Sequence, residues 1–221
     1  VSKTGKIDQL KWVDGLGSPT GMGMHKNQLF VADGKVVHII NVNSGKVMQS
    51  VTSDGALMLN DVTVSKNGRV FISDILAGKI FTIEQNELKL WYQNPQLPHP
   101  NGLLVHHNEL LAVNLGSKLT QTPTSEEFGS AYRISLTDKS TTLINSSYKL
   151  GGLDGVVTLD NAFIISHFPA GEIYKVTDKE RVLLGTLDTS SADIGIDEQQ
   201  KMLFVPFLFK NKVAAFKVNI D

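Results

Sequence analysis

The chain has 221 residues, 41% of them hydrophobic, with 21 Lys and Arg against 22 Asp and Glu and no cysteine. That length buries a sizeable core as one domain, and scattered charges summing to −1 give no electrostatic footing for nucleic acid or an anionic membrane. No apolar run approaches the roughly 20 residues of a membrane span, and the missing thiols exclude disulfides and thiolate chemistry while leaving the compartment open.

Taken in order, residues 5–13 read as an outer strand whose inner neighbours are absent. From Pro19 onward one pattern repeats. A polar residue opens an alternating strand, a polar turn reverses it, and a second apolar strand ends on a polar residue. The copies are Pro19-Thr20-Gly21 to Asp33, Leu59-Asn60-Asp61 to Asp74, Pro100-Asn101-Gly102 to Asn114, Leu153-Asp154-Gly155 to His167, and Ala192-Asp193-Ile194 to Pro206. A third strand begins near Gly78, Gly171 or Lys212, and a more polar fourth follows in most units, as at Lys46 to Val51 or Leu88 to Tyr92.

The repeat starts Thr20, Asn60, Asn101, Asp154 and Ala192 lie 40, 41, 53 and 38 residues apart. Period-2 alternation within a unit of about 40 residues is the pattern of a β-propeller blade and disfavours helical repeats. The expected fold is all-β, a six-bladed propeller with four-stranded antiparallel blades whose first blade is incomplete. Residues 1–17 would be the remnant of that blade, followed by blades at 18–55, 56–98, 99–149, 150–190 and 191–221 in a single domain spanning 1–221. The N-terminal segment would supply the last blade's outer strand, covering its edge. The longest unit carries a Ser-, Thr- and Gln-rich insertion, 116–130, which reads either as a surface loop or as a lid over the central site.

In a propeller the first strands line the axis, so Thr20, Asn60, Asn101, Asp154 and Ala192 converge at one rim. Asn60, Asn101 and Asp154 are oxygen donors of the kind that suits Ca²⁺ or Mg²⁺. Their summed charge of −1 calls for one more carboxylate. The competing reading is that each residue satisfies turn backbone groups. Asp33, Asp74, Asn114 and His167, which end second strands, are further candidates at that rim, and Asp33 and Asp74, which precede turn residues, carry the turn reading more strongly. His167 reads as a general base or as a loop cap. Asp61 and Asp193, one position past the converging residues, point the other way and suit hydrogen bonds between blades. His106 and His107 read as a solvated turn, and Trp12 and Trp91 as packing between blades.

Leu59-Asn60-Asp61-Val62, Pro100-Asn101-Gly102-Leu103 and Leu153-Asp154-Gly155-Val156, in this order over nearly the whole chain, resemble the senescence-marker-protein (regucalcin), gluconolactonase and luciferin-regenerating-enzyme family. The resemblance implies a six-bladed propeller with one divalent cation on its axis. It implies Asn101 and Asp154 as metal ligands, Asn60 as ligand or substrate contact, and Asp154 also as base or nucleophile; in hydrolysis Asp154 or Asp61 would take the proton. The family's further glutamate, in a Pro-Glu-Ser or Glu-Ser-Pro segment, has no counterpart here. The implied activity is metal-dependent hydrolysis of a lactone or small ester, with Asp154, Asn60 and His167 as the catalytic set and a small molecule as partner. The rival is a non-catalytic propeller that binds a protein or carbohydrate, any axial metal being structural.

Overall fold

The repeat reappears in the computed structural model as five antiparallel sheets, described for residues 5–119 and 127–219. The first sheet holds β1 (Pro19–His25), β2 (Gln28–Asp33), β3 (Val36–Asn41) and β4 (Lys46–Thr52), and the second β5 (Leu59–Val64), β6 (Val70–Asp74), β7 (Lys79–Glu84) and β8 (Glu87–Tyr92). The third is built from β9 (Pro100–His106), β10 (Glu109–Asn114), β11 (Ala131–Ser135) and β12 (Thr141–Leu143). The fourth contains β13 (Leu153–Leu159), β14 (Ala162–His167), β15 (Glu172–Val176) and β16 (Arg181–Thr186). The last has only three strands, β17 (Gly195–Asp197), β18 (Met202–Phe207) and β19 (Lys212–Lys217). Within each sheet the strands pair in chain order, as hairpin connections require.

Two expectations are corrected. The described residues form five blades, not six, and residues 5–18 form no strand and do not complete the last sheet. That segment instead crosses the first sheet. Its Gly17 and Ser18 N–H groups bond Asp33 at one rim, and Trp12 lies against Gly45 at the other. Exposed Ile7 and Leu10 have no strand to alternate against. The tight turns between first and second strands repeat in their backbone too: Lys26, His107 and Asp160 all take φ near +50° (53°, 54° and 48°).

The middle strands read as continuous apolar runs because both of their faces are buried. Phe71 joins the cluster between the second and third sheets and its neighbour Ile72 the cluster between the first and second. Leu110 and Leu111 divide in the same way, as do Ile164 and Ile165. Alternation therefore feeds two seams at once, and four seams join five sheets. Trp91 packs edge-on to Phe71 at 4.7 Å in one of them, whereas Trp12 stays partly exposed. Among the described residues no apolar cluster joins the last sheet to the first. Met22 and Met24 on β1 and Phe204 and Val213 on the last sheet are exposed accordingly. No helix of the described residues is long and apolar enough to cross a membrane.

Candidate functional site

The first strands begin with an irregularity that sets the site. Pairing slips between Leu59 and Val62 in β5 and between Leu153 and Val156 in β13. Such bulges re-aim side chains and leave an N–H without a ladder partner. Here the Ser73 hydroxyl takes the Asp61 N–H at 2.9 Å, and the Ser166 hydroxyl takes that of Gly155 at 2.8 Å. Ser166 also donates to the Ala192 carbonyl at 3.0 Å, tying the fourth blade to the fifth.

Close approach of the first strands depends on glycine. A Cβ at Gly102 would lie 1.9 Å from the Asp154 carbonyl oxygen, and one at Gly155 would lie 2.3 Å from the Ile194 nitrogen. These contacts bring the start of β9 against β13, and β13 against the segment that opens the fifth blade. Asn101 donates from Nδ2 to the Leu153 carbonyl at 3.0 Å, and its side chain also hydrogen-bonds Asp154. Asn101 is only 2% exposed, and its Oδ1 has no hydrogen-bond partner. A buried carbonyl oxygen left without a donor is costly and marks a place where a donor or cation belongs.

Asp154 beside Asn101 is coupled through charge to Asp61 and Asp193. Burial, then the charge of Asp61, pushes Asp154 up to about 7, against the opposing hydrogen bond from Asn101. Asp61 is raised by burial, although the Leu103 and Val62 N–H groups donate to its two oxygens at 2.7 and 2.6 Å. Asp193 is pushed well up by burial and by the charges of Asp61 and Asp154, and it hydrogen-bonds Asp61. Asp61 thus bonds between the second and third blades, as its position in the repeat implies.

The structure joins Asn101 to Asp154. It does not bring every expected residue into that contact. Asn60 is half-buried at the same phase of the repeat, and its backbone carbonyl accepts a bond from the Thr20 hydroxyl at 2.7 Å. His167 pairs across the hairpin with Glu172, and its Nδ1 lies 3.0 Å from Glu172 Oε2. Tyr174 donates to the same oxygen at 2.8 Å. Burial raises Glu172, but these two partners outweigh it and hold the carboxyl below its usual range; Tyr174 is pushed up to about 12, by burial first and then by Glu172. Phe128, at the root of the insertion, packs edge-on to the His167 ring at 5.6 Å. The insertion's tip, 120–126, lies outside the described residues, and the lid expectation with it. Glu172 escaped the sequence reading, although its place directly across a four-residue turn from His167 was a usable signal.

The residues that end second strands are rim latches. Asp74 accepts the N–H groups of Leu57, Met58 and Ala77 at 2.7, 3.0 and 2.8 Å. Asn114 accepts from Ser130 and donates to the Pro98 carbonyl, both at 2.8 Å. In Asp33 burial is outweighed by the bonds from Gly17, Ser18 and His38, and the carboxyl sits below its usual value.

The donor chemistry fits an oxygen-seeking cation. The orphaned Asn101 Oδ1 and the Asp154 carboxyl would be the residues to hold it, being hard oxygen donors of the kind that Ca²⁺ or Mg²⁺ takes. Among the described residues no three His, Cys, Asp or Glu side chains are grouped to hold a metal by themselves, so a ready-made carboxylate cage is absent.

No family model matches the chain, and no curated protein matches it significantly. Solved structures do. A chain of a nidogen/laminin complex superposes with a TM-score of 0.74 at 11% identity, over 90% of this chain and 75% of the other. The chain is a β-propeller. A catalytically inactive variant of virginiamycin B lyase from Staphylococcus aureus, solved with quinupristin, gives a TM-score of 0.62 at 16% identity, over 92% of this propeller and 71% of the lyase chain. At these identities the likeness is one of fold.

Proposed function

We propose that this propeller is a divalent-cation-dependent hydrolase of the gluconolactonase type, acting on a lactone or small ester at the rim where the first strands begin. The observation that carries this reading is the buried, unpartnered Asn101 Oδ1 beside the buried Asp154 carboxyl. A structural channel has no use for an orphaned acceptor next to a desolvated acid, whereas a site for a cation and a reacting carbonyl has. Ca²⁺ or Mg²⁺ would be held by Asn101 Oδ1 and Asp154, with Asn60 at its edge. When bound, the ion supplies polarisation of the carbonyl and stabilisation of the oxyanion.

Asp154 is the acid–base group. It takes a proton from the attacking water as the new C–O bond forms, and it returns that proton to the leaving alkoxide as the old C–O bond breaks. Asp61 is unsuited to the task because both of its oxygens are occupied by backbone N–H groups. Asn60 contacts the substrate, and His167, fixed by Glu172, positions the wall of the site.

The test is hydrolysis of γ-butyrolactone, gluconolactone and phenyl acetate in Ca²⁺, in Mg²⁺ and in EDTA. Turnover should depend on the cation and fall at least about 100-fold in Asp154→Asn. Equal rates in wild type and Asp154→Asn would overturn the assignment. No turnover under any condition would leave the propeller as a binding module.

A further inference from the structure

Most of the hairpin turns at the rim opposite the site are polar, among them Lys26-Asn27, Lys66-Asn67, Gln85-Asn86, His107-Asn108, Asp160-Asn161 and Glu198-Gln199. The site rim is different. Leu57 and Met58, which lead directly into Asn60, are exposed, as is Leu76 in the next turn of that blade. On the other side of the site Leu208 is 61% and Phe209 76% exposed, in a short 3-10 turn (Leu208–Lys210). Leaving two consecutive large apolar side chains in water has a cost that stability alone does not explain.

These side chains stand on a fixed platform. Phe209 meets Phe168 edge-on at 5.8 Å. The Phe168 N–H bonds the Gly152 carbonyl at 3.0 Å, and its own carbonyl accepts the Ser190 N–H at 3.0 Å. Ser190 in turn takes the Leu208 N–H on its carbonyl at 3.0 Å and the Phe209 N–H on its hydroxyl at 3.2 Å. Gly152 and Ser190 belong to the segments that deliver Asp154 and Asp193. The aromatic shelf is therefore held by the same backbone that places the acids.

We infer that the shelf of Phe168, Leu208 and Phe209 seats the apolar body of the substrate, so that the site selects alkyl- or aryl-bearing esters and lactones over polyol sugar lactones. The inference rests on the hydrolase reading for its substrate class. Neighbouring charge does not favour an anionic lipid surface, because Lys210 is paired with Asp188 at 2.9 Å.

Affinity for γ-lactones of rising alkyl length, from γ-butyrolactone to γ-decalactone, tests it by calorimetry, with kcat/KM where they are hydrolysed. Seating against a half-open shelf should tighten binding about two-fold per methylene, half the free energy of full burial. The preference for the long lactone should shrink by about ten-fold in Leu208→Ser/Phe209→Ser and persist in Leu90→Ser, which removes an equally exposed leucine from outer strand β8. Circular dichroism confirms that each variant is folded. A flat length series, or a preference untouched by the double variant, overturns the inference. So does binding to phosphatidylcholine vesicles through the same residues without lactone preference. Graded binding without turnover upholds the shelf and removes the hydrolase reading; turnover without length dependence does the reverse.

Discussion

Removing the charge from Asp154 should stabilise the metal-free protein at neutral pH. The unfolded carboxyl titrates near 3.8 and the folded one at about 7, so the native state holds its proton more tightly. Below pH 4 both states are protonated and stability is at its fullest; between pH 4 and 7 it falls as the unfolded chain releases a proton the native state keeps; above 7 the loss is complete. A shift of about 3 units at 1.36 kcal/mol each gives a loss of about 4 kcal/mol. That is an upper figure, since Asp154 keeps part of its surface in solvent. Raised Asp61 and Asp193 act in the same direction. Asp154→Asn in EDTA should therefore raise the urea midpoint at pH 8 and lose most of its advantage near pH 4. Because a cation competes with that proton, Ca²⁺ should stabilise wild type more at pH 8 than at pH 5 and leave the variant unmoved. A lower midpoint for Asp154→Asn than for wild type at pH 8 in EDTA would show that the carboxylate is a stabilising structural group and refute the reasoning.

Gly102→Ala should destabilise by more than about 3 kcal/mol, because its Cβ would meet backbone rather than a yielding side chain, 1.9 Å from the Asp154 carbonyl oxygen. Chemical denaturation measures it, and a loss under about 1 kcal/mol would mean that β9 and β13 slide apart freely. Asp74→Ala leaves three N–H groups without their acceptor and should cost about 2–4 kcal/mol, whereas Asp74→Asn, which keeps one carbonyl oxygen for two of them, should avoid most of that loss. Equal midpoints for the two variants would place the stabilisation in the charge instead.

Much of the architecture was legible because propeller blades repeat their instructions. The continuous apolar run Val70-Phe71-Ile72 marks a strand buried on both faces, and the polar turns mark where it reverses. The reading of Asp61 as a bond between blades also followed from the repeat, since neighbouring strand residues point oppositely. Blade number was not legible in the same way. Residues 5–13 carry apolar side chains at strand-like spacing, yet a strand needs a partner edge, and the segment found the Asp33 latch and Gly45 first. The meeting of Asp61 with Asp193 lies beyond local pattern because 132 residues separate them and only the curvature of the array brings them together. Phe209 reads in sequence as one more core aromatic; only the 3-10 turn beneath it shows that the ring faces outward.

Four seams among five sheets leave every interior blade gripped from two sides and each terminal blade from one. Loss of structure should then travel inward like the unravelling of a row of stitches, with amide exchange quickest in β1 and β19 and slowest in β10 and β14. Asn101 and Asp154 sit on adjacent interior blades, so the pair is insulated from fluctuations that open either end. The same asymmetry makes the ends adaptable: a sheet can be stitched onto either terminal blade while the paired centre, and the acid it holds, stay as they are.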